Sequence, residues 1–220
     1  MIDVIIKYKT ELLRALFQTF DMLIWASIIS LIFGIFFGLL LFLTSENNIF
    51  ENKIVYSTIS ITANIIRAVP FILFIIVIIP FNRFLIGTGF GPNASKIPLT
   101  IIGIANLSKL VELAFLATDK NLYETSYHLG ANKYNYVKDF LIKESRQGLV
   151  ASFKTNVVSI LAYSTVVGTI GGGGLGYLAI NEGFTNFNYK LMWVIIFIMI
   201  ILVVIIDGSL NILIKKLDKR

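Results

Sequence analysis

From Met22 to Leu43 the chain runs without a single charged side chain. As a helix at 1.5 Å per residue this run is about 33 Å long, and a bilayer's hydrocarbon core is about 30 Å thick. A spanning backbone must satisfy its own N–H and C=O groups, so the run is a transmembrane helix. Composition agrees. Of 220 residues, 56% are hydrophobic and only 15% charged, well below the charged share of a soluble domain. There is no cysteine and one histidine, His128, which excludes disulfide frameworks and thiolate or histidine-rich metal sites. The net charge of +6 points to basic residues gathered beside a membrane leaflet rather than to nucleic acid.

Four further spans follow. Ile54 to Ile79 has a polar first half, with Ser57, Thr58, Ser60, Thr62 and Asn64, then Arg67 and Pro70, then an apolar run. Its Arg67-Ala68-Val69-Pro70 break fits either a kink in one long helix or the inner end of a shorter, tilted one. Phe81 to Lys96 reads as a loop rich in Gly, Pro and Asn. Pro98 to Leu116 is the third span, Leu149 to Val167 a polar fourth, and Leu191 to Ile214 the fifth. Residues 1–20 read as an amphipathic leading segment or as the solvated start of the first span. Residues 21–214 form the membrane domain and 215–220 a basic tail. Gly34 and Gly38 make a small-xxx-small pair that permits close helix approach.

Between the third and fourth spans lies a basic insert, 118–146. Lys120, Lys133, Lys138, Lys143 and Arg146 place it, with the C-terminal tail, on the cytoplasmic side. Five spans then set the N-terminus outside. Asn121 and Glu124 have capping-box spacing, Gly130 fits a left-handed stop, and Asn132 fits the cap of a second helix. A short helix, a sharp turn and another helix are expected against the membrane surface.

Inside the spans, Lys109 and Glu112 stand three apart and share a helix face. Arg67, Lys109, Glu112, Ser159, Tyr163 and Ser164 are candidates for a solute path or for intramembrane pairing. Glu112 is one candidate partner for Arg67. The glycine run Gly171, Gly172, Gly173, Gly174 and Gly176 lacks the Gly-Lys-Ser/Thr of a phosphate loop. It fits tight backbone packing or a re-entrant bend.

Glu124-Thr125-Ser126, then Gly130, then Phe140-Leu141-Ile142 resembles the cytoplasmic docking loop of bacterial ABC importer permeases, whose pattern is Glu-Ala-Ala, Gly, Ile-x-Leu-Pro. Both alanines and the proline are replaced here. Ile66-Arg67-Ala68-Val69-Pro70-Phe71, Ile97-Pro98-Leu99-Thr100 and Gly168-Thr169-Ile170-Gly171-Gly172-Gly173-Gly174-Leu175-Gly176 resemble the methionine-type permease subunits more specifically. The resemblance runs from about Phe20 to the C-terminus. It implies an all-α type I importer permease fold of about five membrane helices with a cytoplasmic coupling helix. It implies a bacterial cell-membrane homodimer that works with two copies of an ATPase subunit and an extracytoplasmic substrate-binding lipoprotein, and that imports methionine or a related amino acid. Glu124, Gly130, Phe140 and Ile142 match the coupling motif. ATP and Mg would sit on the ATPase, and this chain would bind no cofactor or metal and catalyse nothing. A permease for a different small solute, or a degenerate scaffold that no longer transports, are the alternatives; no converging catalytic set supports an intramembrane enzyme.

Overall fold

The computed structural model describes residues 2–119 and 121–217; Lys120 of the basic insert and Lys219 and Arg220 of the tail lie outside them. Its elements are helices: α1 (Ile2–Lys7), α2 (Lys9–Thr44), α3 (Lys53–Ala68), α4 (Phe71–Ile86), α5 (Pro92–Leu116), α6 (Leu122–His128), α7 (Lys133–Asn135), α8 (Ile142–Thr169), α9 (Gly174–Leu178) and α10 (Tyr189–Leu217). Two π-helical stretches, Tyr136–Leu141 and Ala179–Thr185, continue α7 into α8 and α9 toward α10. Four helices are long and apolar enough to cross a membrane, and a fifth span is reached if the bent pair α3–α4 is counted as one.

Local chemistry sets the breaks. Asn52 caps α3, its side-chain oxygen accepting from the N–H groups of Ile54 and Val55. Pro70 cannot continue α3, and α4 leaves at 109°. The break is thus sharper than a kink, with both halves helical. Gly87 stops α4 in the left-handed region (φ +76°), and Pro92 opens α5 at its first turn. The loop expected over Phe81 to Lys96 shrinks to residues 87–91, because apolar Phe81, Phe84, Leu85 and Ile86 extend α4 and Pro92 starts α5. The fourth span also begins earlier than expected. A continuous helix covers Lys133–Thr169, so the second helix of the basic insert is the start of the span itself. Likewise, after a turn at Tyr8, the leading segment runs on from Lys9 into the first span as one helix.

The most extensive packing is between α2 and α5, which lie parallel. Asp21 and Lys96 pair at one end (2.6 Å), and Phe42 meets Phe115 at the other with ring centroids 5.5 Å apart. Between them a Cβ on Gly34 would stand 2.7 Å from Leu107, and one on Gly38 would stand 2.5 Å from Val111. Both glycines of the small-xxx-small pair are therefore spent on this contact. α8 returns antiparallel against α5, with Ser152 donating to the Leu110 carbonyl (3.0 Å). α10 then packs on α8. The bundle thus has a glycine end, marked by Asp21, Lys96 and Gly171–Gly174, and a loop end, marked by Thr44, Leu116 and the basic insert. One core holds the α2–α5–α8–α10 centre and a second gathers Phe42, Phe115, Tyr136 and Leu141 at the loop end. Trp193, Phe197, Ile201 and Ile205 of α10 face outward, as lipid-facing side chains do.

Candidate functional site

Three features carry functional residues. The first is the loop end. α6 turns Ser126 inward, fully buried, with its hydroxyl donating to the Tyr123 carbonyl (2.7 Å). Tyr123 packs edge-on against buried Tyr136 with centroids 5.1 Å apart. The opposite face presents Glu124, Thr125, Tyr127, His128 and Leu129 to the outside, with Tyr127 67% and Leu129 71% exposed. Gly130 adopts φ +80°. Its N–H bonds the Tyr127 carbonyl (2.9 Å), and the Ala131 N–H bonds the Ser126 carbonyl (3.0 Å), the paired bonds of a Schellman stop. Asn132 caps α7 as expected, accepting from the Asn135 N–H (2.8 Å). Asn121 does not cap α6 through its side chain; Asp119 instead accepts the Asn121 N–H (2.8 Å). Phe140 packs into the loop-end core, Ile142 is 38% exposed, and Lys143 pairs with Asp139 (2.9 Å). Lys133 reaches back over the Phe50 ring (4.7 Å) and donates to the Ile49 carbonyl (3.3 Å). The insert is thereby fastened to the α2–α3 connection.

The second feature is the set of charges inside the bundle. Lys109 and Glu112 pair at 2.8 Å with side chains only 13% and 6% exposed. Lys109 also donates to Ser60 of α3 (2.8 Å) and sits 5.7 Å from the Tyr56 ring centre. Glu112 is therefore not the partner of Arg67. Arg67 Nε donates to Asn106 Oδ1 (3.1 Å) instead. A buried ion pair that loses one member leaves the other uncompensated, typically costing 3–5 kcal/mol. Glu112→Gln should lower the thermal stability of the purified protein by about 3 kcal/mol, and Lys109→Met with Glu112→Leu should recover most of it. Equal stability of wild type and Glu112→Gln in a thermal melt would reject this role. On α8, Ser159, Ser164 and Thr165 donate to carbonyls of their own helix rather than to neighbouring helices. Tyr163 packs against Phe71 with ring centroids 4.5 Å apart and planes tilted by 45°. Lys154, by contrast, bridges to α10 through Asp207 (2.9 Å) and Asn211 (2.8 Å).

The third feature is the glycine hairpin. Gly171, Gly173 and Gly174 all have positive φ near +80°, so α8 ends and α9 doubles back along it. A Cβ on Gly176 would stand 2.5 Å from the Thr165 Cα, and a Cβ on Gly168 would strike the backbone of Gly176 and Tyr177. Tight packing and the re-entrant bend are thus one feature. Two residues that the sequence did not single out hold it. Gln18 Oε1 accepts the Gly174 N–H and Thr19 Oγ1 accepts the Leu175 N–H, both at 2.9 Å. Ser95 donates to the Gly172 carbonyl (3.2 Å). Thr19 is buried, so its hydroxyl needs a partner; the sequence shows only a polar residue at the start of an apolar helix. Among the described residues no group of His, Cys, Asp and Glu is arranged to hold a metal.

Residues 30–219 match the family described as binding-protein-dependent transport system inner membrane components. The chain belongs to that family. Among its relatives is a Vibrio cholerae protein named as a probable D-methionine transport system permease, MetI, 32% identical over 95% of this chain and 93% of the relative. The Bacillus subtilis methionine import system permease MetP is 36% identical over 82% of each chain. A chain of the MetNI methionine ABC transporter, solved in inward-facing conformations, superposes with a TM-score of 0.93 at 29% identity, over 97% of this chain and 99% of that one. A further amino acid ABC transporter, at 18% identity and a TM-score of 0.80, shares the fold. The family's all-helical, multi-pass architecture is the one described above.

Proposed function

We propose that this chain is the permease subunit of an ATP-driven importer that moves methionine, as the D or L form, or a closely related amino acid, across a bacterial cell membrane. The observation that carries the reading is similarity over nearly the whole chain to permeases named for methionine. ATP hydrolysis, with its Mg, belongs to a separate ATPase, and two copies of it work with a homodimer of this chain. An extracytoplasmic binding lipoprotein delivers the solute. The loop end faces the cytoplasm with the C-terminus, and the glycine end and N-terminus face outward, in keeping with the basic insert. The exposed face of α6 is the contact for the ATPase. Closure of the ATPase pair supplies the differential contacts that favour one bundle arrangement over another. The scaffold alternative comes from the replaced alanines and proline. Of these positions, Ser126 points into its own chain and satisfies its own hydroxyl, so that replacement is hidden from a partner, whereas Thr125 stands on the outer face of α6 and Lys143 pairs with Asp139.

The test is reconstitution in vesicles with the ATPase and binding protein. Labelled methionine should accumulate only with ATP and should outcompete a panel of other amino acids. ATP hydrolysis without any solute uptake would overturn the reading in favour of a non-transporting assembly, and preferential uptake of another solute would move its substrate.

A further inference from the structure

Arg67 occupies an unusual depth. Its partner Asn106 stands ten residues from Lys96 and ten from Leu116, about 15 Å from each along α5. Lys96 pairs with Asp21 at the glycine end, and Leu116 closes α5 at the loop end. The guanidinium therefore sits near the middle of a hydrocarbon layer about 30 Å thick. A charge there faces a bundle interior or water and marks a solute or ion pathway. Among the described residues Arg67 makes one side-chain hydrogen bond, through Nε, and no ion pair. The rest of its planar donor fork, suited to a carboxylate, is exposed on the surface of the chain. It also lies beside the Val69–Pro70 break, where α3 gives way to α4 at 109°.

Beside it is a cavity of about 300 Å³ lined by Phe37, Ile59, Ala63, Ile66, Ile104 and Ala105, among others. This is the lower end of the range for small-molecule sites. Its walls are almost wholly apolar, and Arg67 is one turn beyond Ala63 on the same face of α3. Polar clasps close the α3–α5 seam on either side: Ser60 with Lys109, and Arg67 with Asn106. Lys109 is neutralised by Glu112, so among the described residues the pocket has one cation without an ion pair beside it, Arg67, and a hydrocarbon interior, which matches a molecule with a carboxylate and an unbranched apolar tail.

We propose that Arg67 and the adjoining α2–α3–α5 cavity form a solute station inside the membrane domain, the guanidinium holding the carboxylate and the cavity the apolar side chain of an amino acid in transit. A flexible thioether chain suits a small irregular apolar space. The station rests on the amino-acid importer reading above and adds to it a specificity step independent of the binding protein.

Saturation-transfer NMR on the permease–ATPase complex in nanodiscs, without binding protein, tests it. The probes are L-methionine and its decarboxylated analogue, 3-(methylthio)propylamine. In the wild type the methionine methyl signal should receive at least fivefold more transfer than that of the amine. Arg67→Gln should bring methionine down to the level of the amine and leave the amine unchanged, with Arg67→Lys in between. Ala63→Leu should reduce both. A merely structural Arg67 would lower both probes together, and that result overturns the proposal. So does equal transfer to the two probes in the wild type. Absence of transfer, with a phospholipid retained on the complex in native mass spectrometry and lost in Ala63→Leu, would assign the cavity to an acyl chain. If vesicle uptake of methionine succeeds while transfer is absent, the station fails alone; if uptake itself fails, the importer reading falls with it.

Discussion

Gly168→Ala and Gly176→Ala should each abolish a stably folded permease, whereas Gly171→Ala should only weaken it. The contrast follows from what each new methyl group meets. At Gly176 it would lie 2.5 Å from the Thr165 Cα and 2.7 Å from the Thr165 carbonyl oxygen, and at Gly168 it would stand 2.8 Å from the Gly176 Cα, with nearer backbone atoms of Gly176 and Tyr177 beside it. Backbone cannot rotate away as the end of a side chain can. The α8–α9 hairpin would have to open, and overpacking of this kind costs about 3 kcal/mol or more. Opening it also releases the bonds from Gln18 and Thr19 that seal α9 against α2. At Gly171 a methyl group meets nothing within 4 Å, so only the positive φ is strained, about 1–2 kcal/mol. Thermal unfolding of the purified complex, with membrane yield as a second readout, checks the order. A Gly168→Ala protein as stable as Gly171→Ala would show that the hairpin is not packed as described.

What could be read in the sequence was whatever depends on near neighbours. The charge-free run placed the first span, the i, i+3 spacing paired Lys109 with Glu112, and Asn132 announced its own cap. Gly34 and Gly38 signalled a close approach, though not that Leu107 and Val111 would be the ones to fill it. The misses are long-range. Gln18 and Thr19 act 156 residues away, and Arg67 finds Asn106 across 39; no local periodicity encodes either. The helix capped by Asn132 was legible, but not that it runs on into the span over Leu149 to Val167, because hydropathy marks what lies in lipid and not what is helical. The loop expected over Phe81 to Lys96 failed for a related reason. Pro80 and Pro98 sit inside helices, where a break would be expected from residue type alone. In the sequence Ser126 looks like a loss from the docking motif, and only its burial separates the inner face of α6 from the outer.

That separation predicts which loop substitutions matter. Tyr127→Ala with Leu129→Asp should weaken association with the ATPase at least tenfold while leaving the permease as stable as before. Both side chains are about two-thirds exposed and make no contribution to the loop-end core, so their removal leaves no cavity in this chain. On the ATPase contact proposed for α6 the same residues would be the apolar anchors, and truncating anchors of that kind costs about 2 kcal/mol or more in binding, which exceeds the 1.4 kcal/mol of a tenfold change. Ser126→Leu should do the reverse. It forces volume into a fully buried position beside Tyr123 and Tyr136, destabilising the permease by about 1–3 kcal/mol before any partner is present. Co-purification and titration of the ATPase against permease in detergent, read beside thermal melts of the permease alone, separate the two effects. If the Tyr127–Leu129 double variant binds the ATPase normally, the outer face of α6 is not the coupling surface. The ATPase contact would then lie elsewhere on the loop end.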